Sequence, residues 1–144
     1  MSTHFSSLPF TLTEPIRMYD TDAAGILYFA QQFRFSNNAF ESMLSSCGLT
    51  YHTMFKSAGV GLVVVHVNAS YFHPSTVGDV VTTHAWVSKI GTTSITLNYE
   101  LYRESVLIGV VQSVHVSIQT STGQKTPLPG PILEFAQRFF WTQS

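Results

Sequence analysis

Charge is what this chain has least of. Seven Lys and Arg and eight Asp and Glu are spread over 144 residues, 10% in all, where an ordinary soluble domain carries about 25%. The formal net charge is −1. No basic run or stripe is present to grip a phosphodiester backbone, so nucleic acid is not expected as a partner. Cysteine is nearly missing too: Cys47 stands alone, which excludes an intrachain disulfide and suits a reducing compartment. No apolar stretch approaches the ~20 residues that cross a bilayer, so no membrane span is expected. Residues 1–10 carry neither the charged head nor the apolar run of a secretory signal. These absences lead to the expectation of one cytoplasmic domain over residues 1–144. With so few charges to solvate its exterior, part of the surface is expected to be covered by other copies of the chain.

What is present is strong periodicity. Residues 10–19 partly alternate and predict a first strand, with Pro15 making it an edge strand or a bulge. After a turn at Asp20–Gly25, Phe29, Phe33, Phe40, Met43, Leu44 and Cys47 recur at helical spacing, predicting a helix of about 18 residues. Gly48 is its natural C-cap. The rest reads as strands: Val60–Phe72, Val80–Lys89, Ser94–Tyr102 and Leu107–Gln119. In the first of these, Val63, Val65, Val67, Ala69 and Tyr71 share one face, and His66, Asn68 and Ser70 the other. In the last, Ile108, Val110, Val114, Val116 and Ile118 form the apolar face. Alternation of this kind belongs to antiparallel sheets with one wet face. Gly123 and the Pro127–Pro131 run end the sheet, and residues 132–141 are expected to form a short helix or a docked tail. One early helix followed by a twisted antiparallel sheet is an α+β arrangement, with a generic α+β sandwich as the alternative.

Chemistry concentrates in Arg17-Met-Tyr-Asp-Thr-Asp-Ala-Ala-Gly-Ile-Leu-Tyr-Phe29. Two carboxylates flank Thr21, so one of them is free to be structural while the other faces a pocket. Both are also common turn and helix-start residues, which is the plain reading. Ala23-Ala-Gly25 leaves room for a ligand to approach the backbone. The helix is expected to open at Tyr28 and Phe29, whose main-chain N–H groups are orphans unless something accepts from them, and a carbonyl becoming an oxyanion is such an acceptor. Tyr28 beside a Phe-rich helix start suits a flat aromatic group. His66, flanked by valines, reads first as a satisfied sheet residue; its polar neighbours Asn68 and Ser70 make substrate positioning the functional reading. His84 and His115 each sit alone on a strand and receive no role. None of these residues has metal-ligand spacing, so no metal is expected.

The same segment follows a D-x-D-x-x-G-x-x-Y/W-aromatic pattern and resembles the hotdog-fold acyl-CoA thioesterases of the 4-hydroxybenzoyl-CoA thioesterase branch. Helix residues Tyr28–Leu44, the strand holding His66, and the Pro74–Asp79 turn match in order and spacing, so the resemblance covers nearly the whole chain. It implies a hotdog fold, one long helix wrapped by a curved antiparallel sheet. It also implies Asp22 as the catalytic carboxylate, acting as nucleophile or general base, with the Phe29 N–H as oxyanion donor. Gly25, Tyr28 and His66 are the implied substrate-binding residues. The substrate is an acyl-CoA, with no cofactor beyond the CoA that the substrate carries, and the assembly a homodimer or homotetramer. Asp20-Thr-Asp22, Leu27-Tyr-Phe29, Phe40-Glu-Ser42, Val65-His66 and Lys125-Thr-Pro-Leu-Pro129 are most similar to the subgroup that hydrolyses 1,4-dihydroxy-2-naphthoyl-CoA in phylloquinone and menaquinone synthesis. The hairpin Lys89–Ser94 lacks the Arg pair that grips CoA phosphates in the 4-hydroxybenzoyl-CoA enzymes. The alternatives are a 4-hydroxybenzoyl or short-chain acyl-CoA thioesterase of the same branch and a non-enzymatic acyl-binding domain.

Overall fold

The computed structural model describes residues 9–142. Most of the N-terminal stretch read for a signal, residues 1–8, lies outside that span. Five strands form one antiparallel sheet: β1 (Phe10–Pro15), β2 (Val60–Tyr71), β3 (Val80–Ile90), β4 (Ser94–Arg103) and β5 (Val106–Gln119), in the spatial order β1-β3-β4-β5-β2. This is the hotdog arrangement, with α1 (Gln31–Ser46) lying against the sheet and α2 (Gly130–Arg138) closing one end. No helix among the described residues is long and apolar enough to cross a membrane.

β1 is short because it runs along the edge and ends at Pro15, which has no N–H to continue a ladder. β2 is the opposite edge, twelve residues long and paired only with β5. At the C-terminus of α1, the Leu49 N–H donates to Leu44 O and the Gly48 N–H to Ser45 O. This is the Schellman pattern, and Gly48 has the left-handed φ of 73° that it needs. α2 packs Ile132 and Phe135 into the core, joined there by Phe139 just after it, and the chain beyond bridges to Val87 of β3.

Three expectations are corrected. The helix begins at Gln31, not at Tyr28, because residues 26 and 27 are still extended, bridged to Thr76 and Thr21. Its buried stripe is Gln32, Phe35, Ser36, Ala39, Phe40, Met43 and Leu44, while Phe29 is 58% exposed and Phe33 only half-buried. A reading by hydrophobicity misses two polar members that are satisfied where they sit: Gln32 Nε2 donates to Ser70 O and Val110 O, and Ser36 Oγ to Gln32 O.

The second correction is a bulge in β2 between Val64 and His66. It shifts the alternation by one, so Val64 now shares the helix-facing side with Val67, opposite His115 and Ser113, while Val63 pairs with Val116 on the far side. The third concerns β5. Its helix-facing residues pair with the buried Ile95, Leu97 and Tyr99 of β4, and they are His115, Ser113 and Val111. The valine row at 110, 114 and 116 lies on the other face.

Candidate active site

Asp20 is a structural node. It is fully buried, and its Oδ1 meets Arg34 Nη2 of α1 at 2.5 Å. Its Oδ2 accepts from the Arg17 N–H at 2.9 Å, and its carbonyl accepts from the Tyr28 N–H at 2.8 Å. The carboxylate therefore ties the start of the loop to the helix, and the backbone carbonyl of the same residue holds the end of the loop. The Tyr28 N–H, expected to be free, is used in that tie.

Asp22 is exposed. Its Oδ1 accepts from the Ala24 N–H at 2.9 Å and more loosely from Ile26 N–H at 3.4 Å, an Asx turn that fixes the side chain. Gly25 closes the turn at φ 79°, a conformation that penalises a Cβ. It does not line the cleft beside Asp22, so its visible role is conformational. That cleft, about 500 Å³, is walled by Asp22, Tyr28, Phe29, Gln32, Tyr71 and Phe72.

Phe29 lines the same cleft, two residues before α1 begins. Neither its N–H nor that of Ala30 has an acceptor among the described residues. Both peptide planes are nonetheless held. Tyr28 O, which shares its peptide with the Phe29 N–H, accepts from Gln31 N–H at 2.9 Å, and Phe29 O accepts from Tyr71 Oη at 2.9 Å. Two fixed donors at a helix N-terminus form a ready anion site. Tyr28 and Phe29 rings sit 4.7 Å apart, and Phe29 and Tyr71 6.5 Å, so the cleft wall is aromatic. The turn at Pro74–Asp79 supports the loop from below: Leu27 N–H donates to Ser75 O, and Arg103 holds Pro74 O and Ser75 Oγ.

His66 stands elsewhere. It is exposed on β2, 3.5 Å from the Asn68 amide, and does not line the Asp22 cleft of its own chain. No group of metal-binding side chains occurs among the described residues. Sequence reading overlooked Gln32 and Tyr71. The close approach of Gln32 left a signal in Gly109, where a Cβ would come within 2.4 Å of Gln32 Oε1. Tyr71 left none, because a tyrosine in an edge strand is unremarkable.

The model of the Thioesterase-like superfamily matches residues 16–137. The chain belongs to that superfamily. Its thioesterase domain is similar to the 1,4-dihydroxy-2-naphthoyl-CoA hydrolase of Synechococcus elongatus, 29% identical over 123 residues that cover 85% of this chain and 90% of that one. A hydrolase of the same name from Prochlorococcus marinus is 32% identical, covering 81% of this chain and 83% of its own. Among solved structures, a 1,4-dihydroxy-2-naphthoyl-CoA thioesterase from Synechocystis superposes with a TM-score of 0.82 at 29% identity, over 89% of this chain and 95% of that one. The chain is thus a thioester hydrolase of the hotdog type.

Proposed function

We propose that this thioesterase hydrolyses an aromatic acyl-CoA, with 1,4-dihydroxy-2-naphthoyl-CoA of phylloquinone and menaquinone synthesis as substrate. One observation carries the reading: Asp22 shares an aromatic-walled cleft with Phe29, whose N–H has no acceptor among the described residues. The flat walls of Tyr28, Phe29 and Tyr71 suit a fused ring, and the names of the similar hydrolases agree with that acyl group.

The thioester carbonyl oxygen sits at the Phe29 N–H, where the helix dipole and the fixed amide stabilise it as it becomes negative. Asp22 then follows one of two routes. As general base it takes a proton from water, whose oxygen adds to the carbonyl carbon; the C–S bond breaks, and CoA leaves as a thiolate that is protonated. As nucleophile it forms a mixed anhydride with release of CoA, and water cleaves the anhydride. Incorporation of ¹⁸O from labelled water into Asp22 during a single turnover distinguishes the second route from the first.

β2 supports an assembly. It is a free edge carrying Val64, Val65 and Val67, each 44–57% exposed, and edges of this kind invite pairing with another strand. A second copy adding its β2 there forms a homodimer, brings the partner's strand toward the helix start, and leaves His66 available to a site shared by two chains.

A panel of CoA esters tests the substrate: 1,4-dihydroxy-2-naphthoyl, 4-hydroxybenzoyl, benzoyl and short fatty acyl, followed by thiol release. The naphthoyl ester is expected to lead by at least about tenfold in kcat/KM, the worth of one well-placed contact. Faster cleavage of the benzoyl or fatty esters would redirect the assignment within the branch, and no cleavage of any would leave an acyl-binding domain.

A further inference from the structure

Two further hollows lie along α1 beyond the Asp22 cleft. The first, of about 130 Å³, lies between Phe33 and Ser36 of α1 and Val64 and Val67 of β2. The other, about 350 Å³, lies toward the C-terminal half of α1 and shares Asn37 with the first. Phe33 and Ser36 are four and seven positions beyond Phe29, or about 6–10 Å along the helix axis. The first hollow is therefore within reach of a bicyclic group bonded to a carbonyl held at Phe29. Its size takes one ring of such a group, since an engineered cavity of about 150 Å³ in another protein holds benzene.

The floor of that hollow is not the apolar one that a helix-covered sheet face normally has. Tyr99 Oη lies 3.2 Å from Ser113 Oγ, which lies 2.9 Å from His115 Nε2. All three residues are at least nine-tenths buried and line the hollow. Burial holds the His115 imidazole down to about 4, so at neutral pH the ring is uncharged and carries one donor and one acceptor. His115 Nδ1 has no partner among the described residues.

The proton count of this chain is informative. If Tyr99 donates to Ser113 and Ser113 to Nε2, then Nδ1 carries a hydrogen with no acceptor. If the bonds run the other way, the Tyr99 O–H is left over and Nδ1 becomes an acceptor without a donor. Either direction leaves one donor and some acceptor capacity unmet, which is the complement of a hydroxyl group. An unmet buried polar group costs roughly what an apolar replacement would save, so packing alone does not account for this floor.

We infer that the Tyr99–Ser113–His115 chain is a specificity subsite that reads a ring hydroxyl on the acyl group of the substrate. The inference rests on the aromatic acyl-CoA reading above and adds the chemistry by which one aromatic ester is told from another. A site built to satisfy a hydroxyl rejects the analogue that lacks it more strongly than an apolar pocket rejects an extra one.

The test compares two esters, 1,4-dihydroxy-2-naphthoyl-CoA and hydroxyl-free 2-naphthoyl-CoA, measured without oxygen on the full chain and on Ser113→Ala and Tyr99→Phe. The native protein is expected to favour the hydroxylated ester by about tenfold or more in kcat/KM. Each substitution is expected to cost about tenfold on that ester while leaving the other within about twofold. Equal losses on both esters, or none on either, in a native protein that cleaves both would overturn the subsite and leave the activity standing. A native protein that cleaves neither overturns the activity, and the subsite with it. Should both variants fail to fold, calorimetry on the native protein decides: 1,4-dihydroxy-2-naphthoate binding no tighter than 2-naphthoate would reject the inference.

Discussion

A carboxylate sealed away from water and a carboxylate at the mouth of a cleft answer the same substitution in different ways, and Asp20 and Asp22 provide both cases. Asp20→Ala leaves Arg34 without its partner and frees the N–H group of Arg17, while the Tyr28 N–H keeps its bond to the main-chain carbonyl of residue 20. Breaking a buried pair from one side costs roughly 3–5 kcal/mol; Arg34 keeps 35% of its side chain exposed, so the lower end applies. Urea denaturation should record that loss. Asp22→Asn keeps an Oδ1 for the Asx turn and should unfold within about 0.5 kcal/mol of the native chain, while hydrolysis falls by a factor of about 10²–10⁴, the usual worth of a positioned base. Both aspartates were legible in the sequence as candidates, but their division of labour was not, because it depends on Arg34, fourteen residues away in the chain. His115 is a third case at this scale. Its titration is lowered by burial to about 4 from an ordinary 6.5. The unfolded chain therefore binds the proton first as pH falls, and the stability present above pH 6.5 is lost toward pH 4, up to about 3 kcal/mol. His115→Phe removes that titration, so denaturation at pH 7 and at pH 4.5 should show the variant gaining on the native chain at the lower pH.

Elements were read well where one apolar pattern decides them and poorly where a polar group is buried for a reason. β4 alternates Ile95, Leu97, Tyr99 and Leu101 against polar residues, and the structure buries those four. In β5 the same logic selected the valine row, yet the helix covers Ser113 and His115. Hydrophobicity cannot reveal that a serine and a histidine satisfy one another. In β2 the single extra residue at the bulge exchanged the faces of Val63 and Val64, and no local motif announces it. In α1 the misplaced stripe traces to Gln32, whose amide reaches across to two strands at once. That contact depends on a bare backbone at Gly109. Gly109→Ala would drive a Cβ into the amide, so Gln32 must withdraw and lose two hydrogen bonds. We expect a destabilisation of about 1–3 kcal/mol by thermal or chemical denaturation. An unchanged stability would mean that the helix start is anchored by Asp20 and Arg34 alone.

At the scale of the molecule, the scarcity of charge and the exposed valines of β2 point the same way. A twelve-residue edge with Val64, Val65 and Val67 in water is a poor surface for a lone chain. Val65→Lys places a charge on that edge without touching the cleft, and is expected to shift the mass in sedimentation from a dimer or larger assembly to the single chain. An unchanged mass would put the contact elsewhere. The Asp22 cleft, the fixed amides at the start of α1 and the loop braced by the Pro74–Asp79 turn sit together across helix, edge strand and turn. On the proposed function, Asp22 drives thioester hydrolysis beside the Phe29 amide. The most direct measurement is thiol release from 1,4-dihydroxy-2-naphthoyl-CoA by the native chain and by Asp22→Asn, with folding of both checked by circular dichroism. Steady turnover by the first and a loss of at least about a hundredfold in the second are expected; a folded Asp22→Asn that retains most of the native rate would show that another group does the chemistry.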